Sequence, residues 1–110
     1  MSETLKVLGQ SAPAATTDTN IYTVPTSRAA VVSSLTVCNR NAAEGTFRVA
    51  VRPAGAAIAD QHYIYYDATL AAKSTLAATL GLTLAVTDVV TVRASSANFS
   101  FSLFGSEVVV

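Results

Sequence analysis

Between Ala29 and Pro53 the chain reads AAVVSSLTVCNRNAAEGTFRVAVRP, and both ends of this stretch alternate. Val31, Ser33, Leu35 and Val37 share one face of an extended backbone, and Val32, Ser34, Thr36 and Cys38 share the other. Further on, Phe47, Val49 and Val51 oppose Arg48, Ala50 and Arg52. Strand side chains point alternately to opposite faces, so residues 30–40 and 46–52 each predict a half-buried strand. Asn41-Ala42-Ala43-Glu44-Gly45 between them is short and ends in Gly, which predicts a β-hairpin. Its core face is expected to hold Val31, Leu35, Val37, Phe47, Val49 and Val51, with Arg48 and Arg52 outward.

The flanking chain continues in the same style. Asn20 to Val24 is a β-rich run stopped by Pro25, and Pro25 to Arg28 turns into the hairpin. Pro53-Ala54-Gly55 breaks the chain again before the aromatic strand His62-Tyr63-Ile64-Tyr65-Tyr66. TLAAKSTLAATL, Thr69 to Leu80, has helix formers near helical spacing but no clear cap. The wider pattern favours a turn at Ala71-Ala72-Lys73, a strand over Thr75 to Thr79, and a turn at Gly81 to Ala85. Val89 to Ala94 and Asn98 to Phe104 predict two more strands, with Phe99, Phe101 and Leu103 inward and Gly105 as a bulge. Pro13 and the small residues around it argue against a helix near the N-terminus, so residues 1–17 are expected to form an extended arm, free or reaching a neighbouring subunit. About eight short strands at intervals of roughly ten residues predict an all-β fold, an antiparallel β-sandwich of jelly-roll type, over residues 18–110.

Composition narrows the function. The 110 residues fit one domain. Hydrophobic residues make up 51% and charged residues 13%, against about 25% charged in ordinary globular domains. Such a skin of Ala, Ser, Thr and Val favours association, so an obligate assembly is expected. Seven Lys and Arg balance seven Asp and Glu, which leaves no electrostatic footprint for nucleic acid or an anionic membrane. No apolar run approaches the ~20 residues that span a bilayer. MSETLKVLGQ lacks the basic and apolar regions of a signal peptide, so synthesis in a cytoplasm is expected.

The chemistry-bearing residues are few. One cysteine leaves no partner for an intrachain disulfide, and Cys38 is expected to pack as a small apolar residue. No HExxH, GxSxG or GxxxxGK[ST] occurs. His62 with Asp60 and Asp67 is too loosely spaced to predict a metal site, and no cofactor is expected. The expectation is a non-enzymatic protein. Tyr63 and Tyr65 share a strand face and are candidates for a subunit contact, with solvent or a sugar as the alternatives, because Tyr offers an apolar ring and a polar tip. Arg48 and Arg52 are candidates for intersubunit pairing with Glu44, Asp60 or Asp67, or else line a solvated face. Val108 and Val109 belong to an apolar terminus that either finishes the last strand or is covered by a neighbouring chain.

Three stretches carry a resemblance: IYTVPTSRAAVVSSLTVCNRNAAEGTFRVAV, HYIYYDATLAAKSTLAATLGLTLAVTDVVTVRAS and SFSLFGSEV. Together they resemble small structural virion proteins of tailed bacteriophages over nearly the whole chain, Leu8 to Val108. Thr26-Ser27 stands where that pattern often has Ala-Gly, which bears on the local turn. The resemblance implies a capsid decoration (cement) protein, commonly a homotrimer on the head, that bridges major capsid subunits. A tail, neck or baseplate component, or a host-glycan-binding adhesion module, is the alternative. Its expected partners are itself and the major capsid protein or another virion protein, and its expected location is the virion, assembled in the host cytoplasm.

Overall fold

The computed structural model of the chain describes residues 3–110. Its strands are β1 (Glu3–Ser11), β2 (Thr19–Thr23), β3 (Arg28–Asn39), β4 (Gly45–Arg52), β5 (Tyr63–Leu70), β6 (Thr75–Leu84), β7 (Val89–Ala94) and β8 (Phe99–Val109). Two four-stranded antiparallel sheets result, ordered β1-β8-β3-β6 (the first sheet) and β2-β7-β4-β5 (the second). Every connection except β4 to β5 crosses from one sheet to the other, which is the winding of a jelly roll. The all-β sandwich expected from the sequence is the fold observed.

The expected hairpin is not a hairpin. β3 pairs with β6 and β8, whereas β4 pairs with β5 and β7, so the two arms face each other across the core instead of sharing an edge. Alternation is the same in both arrangements, because each arm buries one face either way. The corner between them is held by Asn39, which is fully buried. Its amide nitrogen donates to the carbonyls of Ala43, Leu70 and Ala71 at 3.0–3.2 Å, and its Oδ1 accepts from the Asn41 N–H at 3.0 Å. One side chain thereby ties the β3–β4 corner to the β5–β6 corner.

The core lies between the sheets. Leu35, Val37, Phe99, Phe101 and Leu103 come from the first, and Phe47, Val49, Val90 and Val92 from the second. Phe47 is its hub, with ring centroids 5.3 Å from Tyr65, 6.4 Å from Phe99 and 6.2 Å from Phe101. Tilted and edge-on aromatic pairs add about 0.5–1.5 kcal/mol each beyond area burial.

Four further expectations are corrected. Val31 is exposed and Val32 is buried, because β3 carries a bulge at Ser33 that reverses the phase of its alternation. Gly105 is not itself the bulge: β8 keeps its phase, and Gly105 is the residue that β3 bulges against. A Cβ at Gly105 would collide with the Val31 carbonyl oxygen. β6 does not stop at Thr79 but runs to Leu84, with Leu76, Ala78, Leu80, Leu82 and Leu84 inward and Gly81 outward. Finally, residues 3–11 of the expected arm are extended but form β1, paired with β8 of the same chain; residues 1–2 lie outside the described residues.

Irregularities in the first sheet fall at one level. Relative to β8, β1 gains Leu8 and β3 gains Ser33; relative to β3, β6 gains one residue at Leu80–Gly81. Bulges bend and twist a sheet locally, and a row of them bends the whole layer. Gly105→Ala, which would force β3 and β8 apart at this row, is expected to cost about 1–3 kcal/mol in urea unfolding. Gly81→Ala, with open space around its Cβ, is expected to stay within about 0.5 kcal/mol of wild type. Equal stability for the two variants would contradict this reading.

Candidate assembly surfaces

Alternation and register decide what the outer face of the first sheet carries. Leu5, Ser106, Val31 and Thr83 form one row across the four strands, and Val7, Phe104, Ser34 and Thr79 the next. Gln10, Ser102, Thr36 and Ala77 follow. Leu5 is 81% exposed, Val7 48% and Val31 39%. Among the described residues charge borders these rows at the two ends: Glu3, at one corner, accepts from Ser106 Oγ at 3.1 Å, and Arg40, at the other end, donates to Ser100 Oγ at 2.8 Å. Val108 lies on this face, half-buried between β1 and β3, while Val109 ends β8 in the open. Cys38 is half-buried here too.

The outer face of the second sheet is the opposite in character. Arg48 and Arg52 project from β4, Thr91 and Arg93 from β7. Arg48 meets Asp67 as a fork, Nε to Oδ1 at 2.7 Å and the second nitrogen to Oδ2 at 3.2 Å. That hydrogen bond raises the Arg48 pKa further and holds the Asp67 carboxyl below its ordinary value. The Arg48 guanidinium also stacks 4.2 Å from the Tyr66 ring centre. Arg52 donates to Thr91 Oγ1, Asn20 Oδ1 and the Ala56 carbonyl at 2.8–3.1 Å. Arg93 lies 3.6 Å from Asp18. Both candidate arginines therefore spend their fork within the chain; Asp67, expected across an interface, is the in-chain partner of Arg48.

The tyrosine face is also corrected. β5 is bulged at Ile64 and again at Tyr66-Asp67, with Asp67 at a φ of 50°. Tyr65 opposes Val49 and packs on Phe47 in the core, whereas Tyr63 opposes Ala50 on the outside. The outward aromatic pair is Tyr63 with Tyr66, edge to face at 4.8 Å. With Asp60 these two line a hollow of about 460 Å³. His62 is occupied locally, its Nδ1 accepting from the Ala59 N–H at 3.1 Å. No cluster of three metal-ligating side chains occurs among the described residues.

One buried constellation had no sequence signal. Glu107, 8% exposed, accepts from the Tyr22 hydroxyl at 2.5 Å and from Lys6 Nζ at 3.2 Å. It joins β2 to β8 and β1 across the sandwich. Burial first, then the hydrogen bond to Glu107, pushes the Tyr22 hydroxyl well above its usual pKa. The Tyr22 hydrogen bond, helped by Lys6 and opposed by burial, holds the Glu107 carboxyl below its ordinary value. These partners are 85 and 101 residues apart in sequence, beyond the reach of any local pattern.

No family model, curated protein or solved structure matches this chain.

Because the folded Glu107 carboxyl titrates below its ordinary value of 4.5, its contribution is full above that pH and is lost as pH falls through the folded value. Glu107→Gln is expected to lose about 1–3 kcal/mol at neutral pH, with the gap to wild type closing in acid. Unfolding curves across pH check this; a gap that stays constant into acid would contradict it.

Proposed function

We propose that this protein is a non-enzymatic structural subunit of a tailed-phage particle and, within that class, a capsid decoration protein that bridges major capsid subunits. The observation that carries the reading is the outer face of the first sheet, whose exposed rows combine Leu5, Val7, Val31 and Phe104 with hydroxyl side chains and almost no charge. Contiguous exposed apolar surface of this kind marks a protein contact. Burying it yields roughly 25 cal/mol per Å², which raises the free energy needed to separate the bridged subunits. The jelly-roll winding, which recurs in viral capsid and lectin domains, agrees with the resemblance of the sequence to phage virion proteins. The threefold arrangement rests on that resemblance alone.

In purified particles of the source phage, the chain is expected in proportion to the major capsid subunit. Leu5→Asp with Val31→Asp, both at exposed positions, is expected to fold normally and to reduce that occupancy at least tenfold (about 1.4 kcal/mol). Trace copy number would favour a tail, neck or baseplate position, and absence from particles would overturn the reading.

The Tyr63–Tyr66–Asp60 hollow favours a second reading, glycan binding. Tyr66 is 58% exposed, and Asp60 supplies an acceptor for sugar hydroxyls beside the rings. On a glycan array this predicts signal that Tyr66→Ala abolishes; a blank array for wild type retires it.

A further inference from the structure

The sandwich has four edge strands, and three are blunted. β1 carries Glu3, Lys6 and Gln10 and bulges at Leu8. β2 is five residues long, bulges at Ile21 and is closed off by β1, whose Gly9 lies against the Ile21 carbonyl. β5 carries two bulges and Asp67 at positive φ. Charge, brevity and bulges are the devices that stop edges from pairing.

β6 has little of this. TLAATLGLTL runs ten residues without a charge or a proline. The one-residue shift in its pairing with β3 leaves its in–out alternation intact, and no residue of β6 has positive φ. The flank beside it is also open. A groove of about 440 Å³ runs between the sheets there, lined in part by Val51, Ile64, Leu82 and Leu84.

We propose that β6 is the edge through which two copies of this chain join, antiparallel about a twofold axis, into one continuous eight-stranded sheet. The proposal rests on the reading of the chain as an assembling subunit and names the partner at one of its surfaces. Three arguments select a second copy. An antiparallel self-pairing sets residue i opposite residue c − i; for even c both have the same parity, so the leucine-rich inner face meets its own copy and the threonine-bearing outer face meets its own copy. An uncharged strand neither repels its own copy nor recognises a charged partner. The third is area. An edge of ten residues is roughly 34 Å long and about 10 Å thick, or ~340 Å² per copy. Doubled to ~700 Å², it falls below the 1,200–2,000 Å² or so of a stable interface. A lone peptide strand offers no more than that, whereas a second copy brings its own Ile64–Leu82 seam against the first.

The test uses the full chain in light scattering and amide hydrogen exchange. Wild type is expected at the mass of two chains or a larger even number, with the β6 amides that point away from β3 exchanging slowly. Ala77→Lys with Thr79→Lys, both on the exposed face of β6, is expected to halve the mass and release those amides. Leu5→Lys on β1 is the control and leaves the β6 amides slow. A wild-type monomer or trimer with fast β6 exchange overturns the proposal. An assembly whose mass is unchanged by the lysines but lowered by Leu5→Lys overturns the edge and leaves the outer-face reading standing. The exchange measurement on wild type decides the matter even where the double variant fails to fold.

Discussion

The first sheet is organised around the point where β8 passes β3 without a side chain. At Gly105 the Val31 carbonyl occupies the space a Cβ would need. That close approach fixes the bulge at Ser33, and the bulge decides which residues of β3 enter the core. Val32 goes in with Leu35 and Val37, and Val31 goes out. β1 and β6 take up their own extra residues at the same level, so the layer bends as a unit and each strand keeps an apolar inner face. The same phase choice delivers Val31 to the outside beside Leu5 and Phe104. Core and surface patch are two consequences of one backbone contact.

Charge is scarce in this chain, and where it goes makes the molecule two-sided. Arg48, Arg52 and Arg93 gather on the outer face of the second sheet, each answered by Asp67, Asn20 or Asp18. Exposed pairs of this sort contribute little to stability, a median of about 0–1 kcal/mol. What they do is keep that face hydrated. Glu107 and Lys6 are drawn into the corner with Tyr22. The first sheet's outer face carries charge only at its ends, at Glu3 and Arg40, and the β6 edge carries none; a nearly uncharged sheet with an open edge is the physical basis for reading the chain as a subunit of something larger.

The sequence carried the fold class well and the wiring poorly. Period-2 alternation, with β-rich and aromatic runs between turn residues, locates seven of the eight strands, because alternation reflects one-sided burial, and one-sided burial is what a sandwich demands. It says nothing of which strand lies beside which, so two arms on opposite sheets read as a hairpin. Bulges defeated the finer assignments: a single inserted residue exchanged Val31 for Val32, and another split Tyr63 from Tyr65. Gly81 was a false stop. Glycine is cheap at an outward position of an edge strand, and the leucines on both sides of it already kept the strand's period. Pro13 and its small neighbours point to an extended leading segment, but nothing local in Leu5-Lys6-Val7-Leu8 reveals its β8 partner. Glu107 has no local signal, since its partners Tyr22 and Lys6 lie at the other end of the chain.

Salt distinguishes the proposed association through uncharged surface from pairing through the arginine face. Screening shortens the reach of charges from about 10 Å at 0.1 M salt to about 3 Å at 1 M, while salts excluded from protein surfaces strengthen apolar burial. Sedimentation velocity of the wild-type chain across that range is the direct measurement. An assembled species that persists or grows as salt rises is expected. A chain that is monomeric throughout, or an assembly that dissociates with salt, would contradict association through uncharged surface.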